Sequence, residues 1–187
     1  MNKVNIIRTI VTVILSLVIL TTLQNCERDD ICAESTPTTP RLLIEFYDAT
    51  SPDDLKNVPR LTIYGEGLLN EPPQGSSDET IVYNSNTSSA ELPLIIDAEE
   101  ETVTRYILEQ DTNLRLDEDT TTDSNIDIIE INYTTKFVYV SRACGYKSIF
   151  NELRVVREND TDNWISNIEI VETIIENENT VHVRIFH

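Results

Sequence analysis

Three observations predict an all-β fold, a single antiparallel β-sandwich (Ig-like or similar) that follows an N-terminal leader and a tether. Beyond residue 40, apolar residues recur with a period of two. The runs are short, rich in β-branched residues and separated by polar turn formers. No long amphipathic helix interrupts them. About eight or nine such runs over roughly 145 residues fit one domain built of two packed sheets.

Taken in order, residues 41–47 (RLLIEFY) place Leu42, Ile44 and Phe46 on one face. Residues 51–57 (SPDDLKN) carry turn chemistry. A second strand is expected at 60–64, ended by Gly65-Glu66-Gly67, and 70–78 (NEPPQGSSD) is a loop. Short strands are expected at 80–83 and 92–96 around a loop at 84–89, then another at 102–109. The acidic, Thr-rich stretch 111–125 is expected to be an exposed loop. Strands at 126–133 and 136–142 should form a hairpin about Thr134-Thr135. In it Ile129, Ile131 and Tyr133 share one face, and Phe137, Tyr139 and Ser141 another. Residues 145–153 should turn, through one helical turn at 148–152, before a strand at 153–157. A terminal hairpin is expected from 168–176 and 180–187, with Ile168, Ile170 and Ile174 facing Val181, Val183 and Ile185.

The leader is distinct. Lys3 and Arg8 precede an apolar run of 11 residues, Ile10 to Leu20, and a polar exit. Spanning a bilayer takes about 20 apolar residues, so a secretory signal fits better than a membrane span. Leu23-Gln24-Asn25-Cys26 resembles a bacterial lipobox, with Asn25 in place of the usual small residue; relaxed forms of this kind are familiar in Bacteroidota lipoproteins. Cleavage before Cys26 would leave a lipidated N-terminus. Two or three acyl chains hold a protein on a membrane where one does not. The domain boundaries are therefore 1–25 for the lipoprotein signal peptide, 26–40 for an acidic and Pro/Thr-rich tether, and 41–187 for the sandwich. Glu27-Arg28-Asp29-Asp30 is similar to the surface-export signals of Bacteroidota lipoproteins. The expected location is the outer membrane of the cell envelope, on its periplasmic face or the cell surface.

Charge excludes several classes. The chain holds 14 Lys and Arg against 33 Asp and Glu, a formal charge of −19. So acidic a body repels a phosphate backbone, which excludes nucleic acid as a partner, and repels anionic headgroups, which excludes anchoring through a basic patch. Membrane attachment is expected through the lipid on Cys26, and an outer-membrane β-barrel is the candidate protein partner.

With Cys26 lipidated, Cys32 and Cys144 remain, 112 residues apart. In an exported protein an even remainder predicts a disulfide. A nucleophilic thiol needs a base, and the two His, His182 and His187, both lie at the C-terminus. His182 is expected to be exposed.

Asp117, Asp119 and Asp123 are weak metal candidates. Their loop lacks the Gly of an EF-hand at its sixth position, where Thr122 stands, and has Ile128 where a bidentate Glu belongs. Asp160 and Asp162 form a similar weak cluster. Trp164, the single Trp, is expected in the core or at a strand edge rather than as a sugar platform. Tyr64, Tyr83, Tyr106 and Tyr139 are expected to pack with their hydroxyls wet. There is no nucleophile elbow, phosphate loop, H-E-x-x-H or dinucleotide fingerprint, so no enzyme and no cofactor are expected.

The order of lipid Cys, acidic tether, Asp30-Ile31-Cys32, Thr36-Pro37-Thr38-Thr39-Pro40-Arg41-Leu42, Ile44-x-Phe46-Tyr47-Asp48 and Ala143-Cys144-Gly145-Tyr146 resembles a Bacteroidota lipoprotein family of unknown function, domain of unknown function 6452. The resemblance spans the whole mature chain. It implies the localisation and a β-rich domain, and it carries no activity. The expected role is non-catalytic, binding or structural, with a glycan- or Ca²⁺-binding surface module as the alternative.

Overall fold

The structure, a computed structural model, describes residues 3–22, 31–97, 101–117, 119 and 121–187. Its elements are α1 (Lys3–Thr22), β1 (Leu42–Asp48), β2 (Ser51–Leu55), β3 (Val58–Gly65), β4 (Thr80–Thr87), β5 (Ser89–Leu92), β6 (Glu101–Gln110), α2 (Thr112–Leu116), β7 (Asn125–Ser141), β8 (Gly145–Arg157), β9 (Asn167–Ile170) and β10 (Val183–Phe186). The chain divides into two units. The smaller comprises Met1–Thr36 with Val140–Gly145, and the larger comprises Pro37–Tyr139 with Tyr146–His187.

The larger unit is a β-sandwich. One sheet runs β2-β1-β10-β9, with β5 also paired to β1, and the other runs β4-β3-β6-β7-β8. Alternation explains why they stack. Leu42, Ile44 and Phe46 of β1, Val183 and Ile185 of β10, Leu61 and Ile63 of β3, Leu108 of β6, and Ile129, Ile131 and Tyr133 of β7 are all buried in one cluster. Each such Leu, Ile or Phe contributes roughly 1.5–3 kcal/mol relative to exposure. Neighbouring strands run antiparallel except that β10 pairs parallel with β1, Ile44 opposite Val183 and Phe46 opposite Ile185. A parallel pair requires a long crossover, and here nearly the whole domain lies between the two strands.

Several expected loops are strands. Residues 51–55 form β2, an edge strand with all five residues exposed. It gives no apolar signal, and an edge tolerates Pro52. The turn lies just before it, where Asp48 Oδ1 accepts from the Thr50 amide and hydroxyl, both at 2.7 Å. β4 continues through 84–87, with Asn84 at φ 43° beside a register shift between Leu61 and Ile63 of β3. Asn tolerates that left-handed geometry, which marks a bulge. Conversely, the expected strand at 92–96 leaves the sheet after Leu92.

The largest correction concerns the central hairpin. No turn occurs at Thr134-Thr135, where β7 runs unbroken for 17 residues. Two β-branched residues cannot supply the positive φ of a tight turn. The turn comes at residues 142–144, followed by Gly145 at φ 70°. Beyond it, 145–157 is a single strand rather than a turn with a helical segment. Glu152 lies within it at φ 58°. In the terminal hairpin, Ile168 faces Ile185 and Ile170 faces Val183 as expected. Ile174 is exposed, and its neighbour Ile175 takes the buried place through paired bonds with Phe150 (3.0 and 2.7 Å).

The stretch 111–125 holds a short helix, α2, fastened by a buried ion pair. Glu109 is fully buried and receives Arg115 Nε at 2.5 Å and Nη2 at 3.0 Å. The Ser124 hydroxyl donates to the same carboxylate at 2.5 Å, and Arg115 Nη2 also donates to the Pro73 carbonyl at 3.0 Å. The Glu109 bond raises the Arg115 pKa further. With both charges supplied with partners, the cluster acts as a clip on the loop.

The smaller unit contains α1 and the Cys32–Cys144 disulfide, whose Cα atoms lie 4.9 Å apart. Thr36 N–H donates to the Ala33 carbonyl at 2.9 Å, closing a turn next to the bond. The Cys144 amide donates to Ser141 Oγ at 3.0 Å. No helix among the described residues is long and apolar enough to cross a membrane.

Candidate functional site

The predicted site residues separate. Cys26, the expected lipidation position, lies outside the described residues, as does Glu118 of the acidic loop. Cys32 and Cys144 are joined to each other. Asp117 and Asp119 use their carboxylates on local turns: Asp117 Oδ1 accepts from the Asp119 amide, and Asp119 Oδ1 from the Thr121 amide, both at 2.9 Å. Asp123 Oδ1 accepts from Ser124 N–H at 2.9 Å. Among the described residues, no group of three His, Cys, Asp or Glu stands close enough to hold a metal ion.

His182 is buried, not exposed as its strand phase implies. It lies just before β10, where alternation no longer applies. Its Nδ1 accepts from the Leu43 amide at 2.9 Å, so the ring proton sits on Nε2, towards the Asn177 backbone. Burial lowers its pKa. With both nitrogens engaged, the ring joins two backbone segments. His187 packs edge-on to Trp164 with centroids 5.7 Å apart, and burial lowers its pKa as well. Trp164 packs against the core, its Nε1 donating to the Leu108 carbonyl at 3.2 Å. Asp127 is buried, its Oδ2 accepting from the Ile165 amide at 2.7 Å, and desolvation raises its pKa. These polar groups hold loops onto the sandwich.

Tyr64 and Tyr106 are buried, and Tyr106 donates to the Pro93 carbonyl. Tyr139 departs from the expected packing. The face of β7 that carries Ile129, Ile131 and Tyr133 continues by alternation to Phe137 and Tyr139. On β8 the face of Phe150 and Ser148 continues to Tyr146. Phe137, Tyr139 and Tyr146 are 44%, 58% and 67% exposed. The two Tyr rings meet edge-on, centroids 5.4 Å apart. Apolar surface at the end of a core face is a candidate contact surface.

Charge singles out the same segment. Residues 131–151 form a run of 21 without Asp or Glu, in a chain that holds 33. The run contains Lys136, Arg142 and Lys147. Lys136 and Arg142 are exposed, and Lys147 Nζ donates to the Glu176 carbonyl at 2.9 Å. Net charge hides this local reversal, which a running charge count along the chain would have revealed.

No curated protein and no solved structure matches the chain. One family model does, over residues 60–187. The match takes in Cys144 and the whole β7–β8 hairpin and begins beyond the tether, Cys32 and β1. Over these residues the chain belongs to the family of unknown function DUF6452.

Proposed function

We propose that this is a lipid-anchored cell-envelope protein of the outer membrane, whose β-sandwich has a non-catalytic binding or structural role. The observation that carries the reading is the Cys32–Cys144 disulfide. A bonded pair is at home in an oxidising compartment. Of the three Cys, the remaining one is Cys26, which follows a basic and apolar segment. The resemblance of the leader to Bacteroidota lipoprotein signals supports the same placement. The His, Asp and Glu side chains in the larger unit that are held by hydrogen bonds serve its loops and clips, which supports a binding or structural role over a catalytic one. An outer-membrane β-barrel is the partner this reading expects.

Changing Cys26 to Ala should abolish metabolic palmitate labelling and release the protein from the membrane fraction or leave an unprocessed precursor. Palmitate label that persists in Cys26→Ala defeats the anchor.

A further inference from the structure

We infer that the exposed end of the β7–β8 hairpin, carrying Phe137, Tyr139 and Tyr146, rests in the headgroup–acyl boundary of the bilayer that holds the acyl anchor. This rests on the proposed lipidation of Cys26.

Three independent features of the chain point to that occupant. The first is reach. Cys26 lies six residues before Cys32, a span of at most about 20 Å when fully extended. The disulfide then crosses to Cys144 over 4.9 Å between Cα atoms. Tyr146 follows two residues later, at most about 7 Å further on. Without the bond, the path from Cys26 to the hairpin would run through the tether and most of the domain. The covalent geometry thus keeps these aromatic rings within short reach of the anchored residue.

The second feature is side-chain chemistry. Tyr joins an apolar ring to a polar hydroxyl and is enriched where membrane meets water. Two exposed Tyr and a partly exposed Phe occupy the end of a core face. The third is charge. A chain with 33 Asp and Glu against 14 Lys and Arg is repelled by a phosphate-bearing surface. Its 21-residue run without carboxylates lies on this hairpin, with Lys136 exposed on the strand face opposite the rings, Arg142 exposed in the turn and Lys147 held by the Glu176 carbonyl. A hairpin end that carries exposed Lys136 and Arg142 and no carboxylate meets lipid phosphates without the repulsion that the rest of the chain brings. The anchor supplies residence, and the hairpin end sets orientation.

The test uses the full chain, acylated in cells, purified and reconstituted into vesicles of phosphatidylethanolamine and phosphatidylglycerol, with and without doxyl-labelled lipid. Tyr146→Trp places an indole at the hairpin end, and the unsubstituted protein, whose Trp164 packs against the sandwich core, supplies the baseline. The added indole should lose roughly half or more of its emission to the doxyl lipid, as an interfacial residue does. Emission of the unsubstituted protein should stay nearly constant. Adding Phe137→Glu and Tyr139→Glu to Tyr146→Trp should abolish the quenching while palmitate label remains. A palmitate-labelled Tyr146→Trp protein whose added indole is not quenched overturns the docking and leaves the anchor standing; the tyrosines would then face a soluble glycan or a second protein. Absence of palmitate label overturns the anchor and, with it, this inference.

Discussion

The two halves of the β7–β8 hairpin obey the same alternation and meet opposite fates. In the inner half, Ile129, Ile131, Tyr133 and Phe150 lie under the opposite sheet with essentially no exposure. In the outer half, Phe137, Tyr139 and Tyr146 continue that face into solvent. Periodicity reports that a segment is extended and which residues share a side. It does not report whether anything covers that side. The halves differ in what surrounds them, and the outer half differs again in lying within the run free of carboxylates.

Removing the covalent tie of the outer half should have the largest effect. Cys32→Ser with Cys144→Ser opens a loop of 112 residues, and the loss of stability should reach up to about 4–5 kcal/mol by chain entropy. Denaturant unfolding of the oxidised parent and the double variant measures it. A loss near zero would mean that the outer half is fastened without the bond.

Truncating the inner half comes next. Ile131→Ala removes a fully buried side chain and should cost about 2–4 kcal/mol, read from the denaturant midpoint at unchanged slope. A cost below about 1 kcal/mol would show that the inner half packs loosely and erase the contrast.

Acidification should separate the halves without mutation. Burial lowers the pKa of both His182 and His187, so the fold favours their neutral forms. Their contribution is complete above the unfolded value of about 6.5 and is lost as pH falls through the lowered folded values. Protonated Nδ1 of His182 can no longer accept from Leu43. Glu178, lowered mainly by its bond to Arg41, adds to the loss only below the ordinary carboxylate range. Asp127, raised by desolvation, acts with the opposite sign, since its protonation relieves a cost. Hydrogen exchange between pH 7 and pH 5 should therefore show weakening around β1 and β10 while amides of 136–147 stay unchanged. Loss at 136–147 first would reverse the assignment.

The smallest effect belongs to the outer half itself. Tyr139→Ser should change the stability of the detergent-solubilised protein by no more than about 0.5 kcal/mol, as at an uncovered surface position. A cost comparable to that of Ile131→Ala would mean that Tyr139 is packed.

Residues 41–47 show how much was legible in advance. Leu42, Ile44 and Phe46 were expected on one face, and they lie in the core. The same holds for Ile129, Ile131 and Tyr133, and for the pairing of Ile168 and Ile170 with Ile185 and Val183. The disulfide followed from counting cysteines. Strands with no apolar signal were missed, as at β2, where backbone pairing to β1 sets the conformation and all five residues are exposed. The outer hairpin surface was missed because Phe137 and Tyr139 look like core residues when only the alternation is read.

The sequence by itself therefore determined what is local: most of the period-two strands, the shared faces of Leu42, Ile44 and Phe46 and of Ile129, Ile131 and Tyr133, and the pairing of Cys32 with Cys144. Backbone geometry and residue chemistry suffice for these. Only the tertiary structure decided the parallel seating of β10 on β1, the turn at 142–144, the burial of His182 and the uncovered end of the β7–β8 hairpin. Each depends on which segment, distant in the chain, comes to lie alongside. Coverage is a property of two surfaces together, and one strand's sequence describes only one of them.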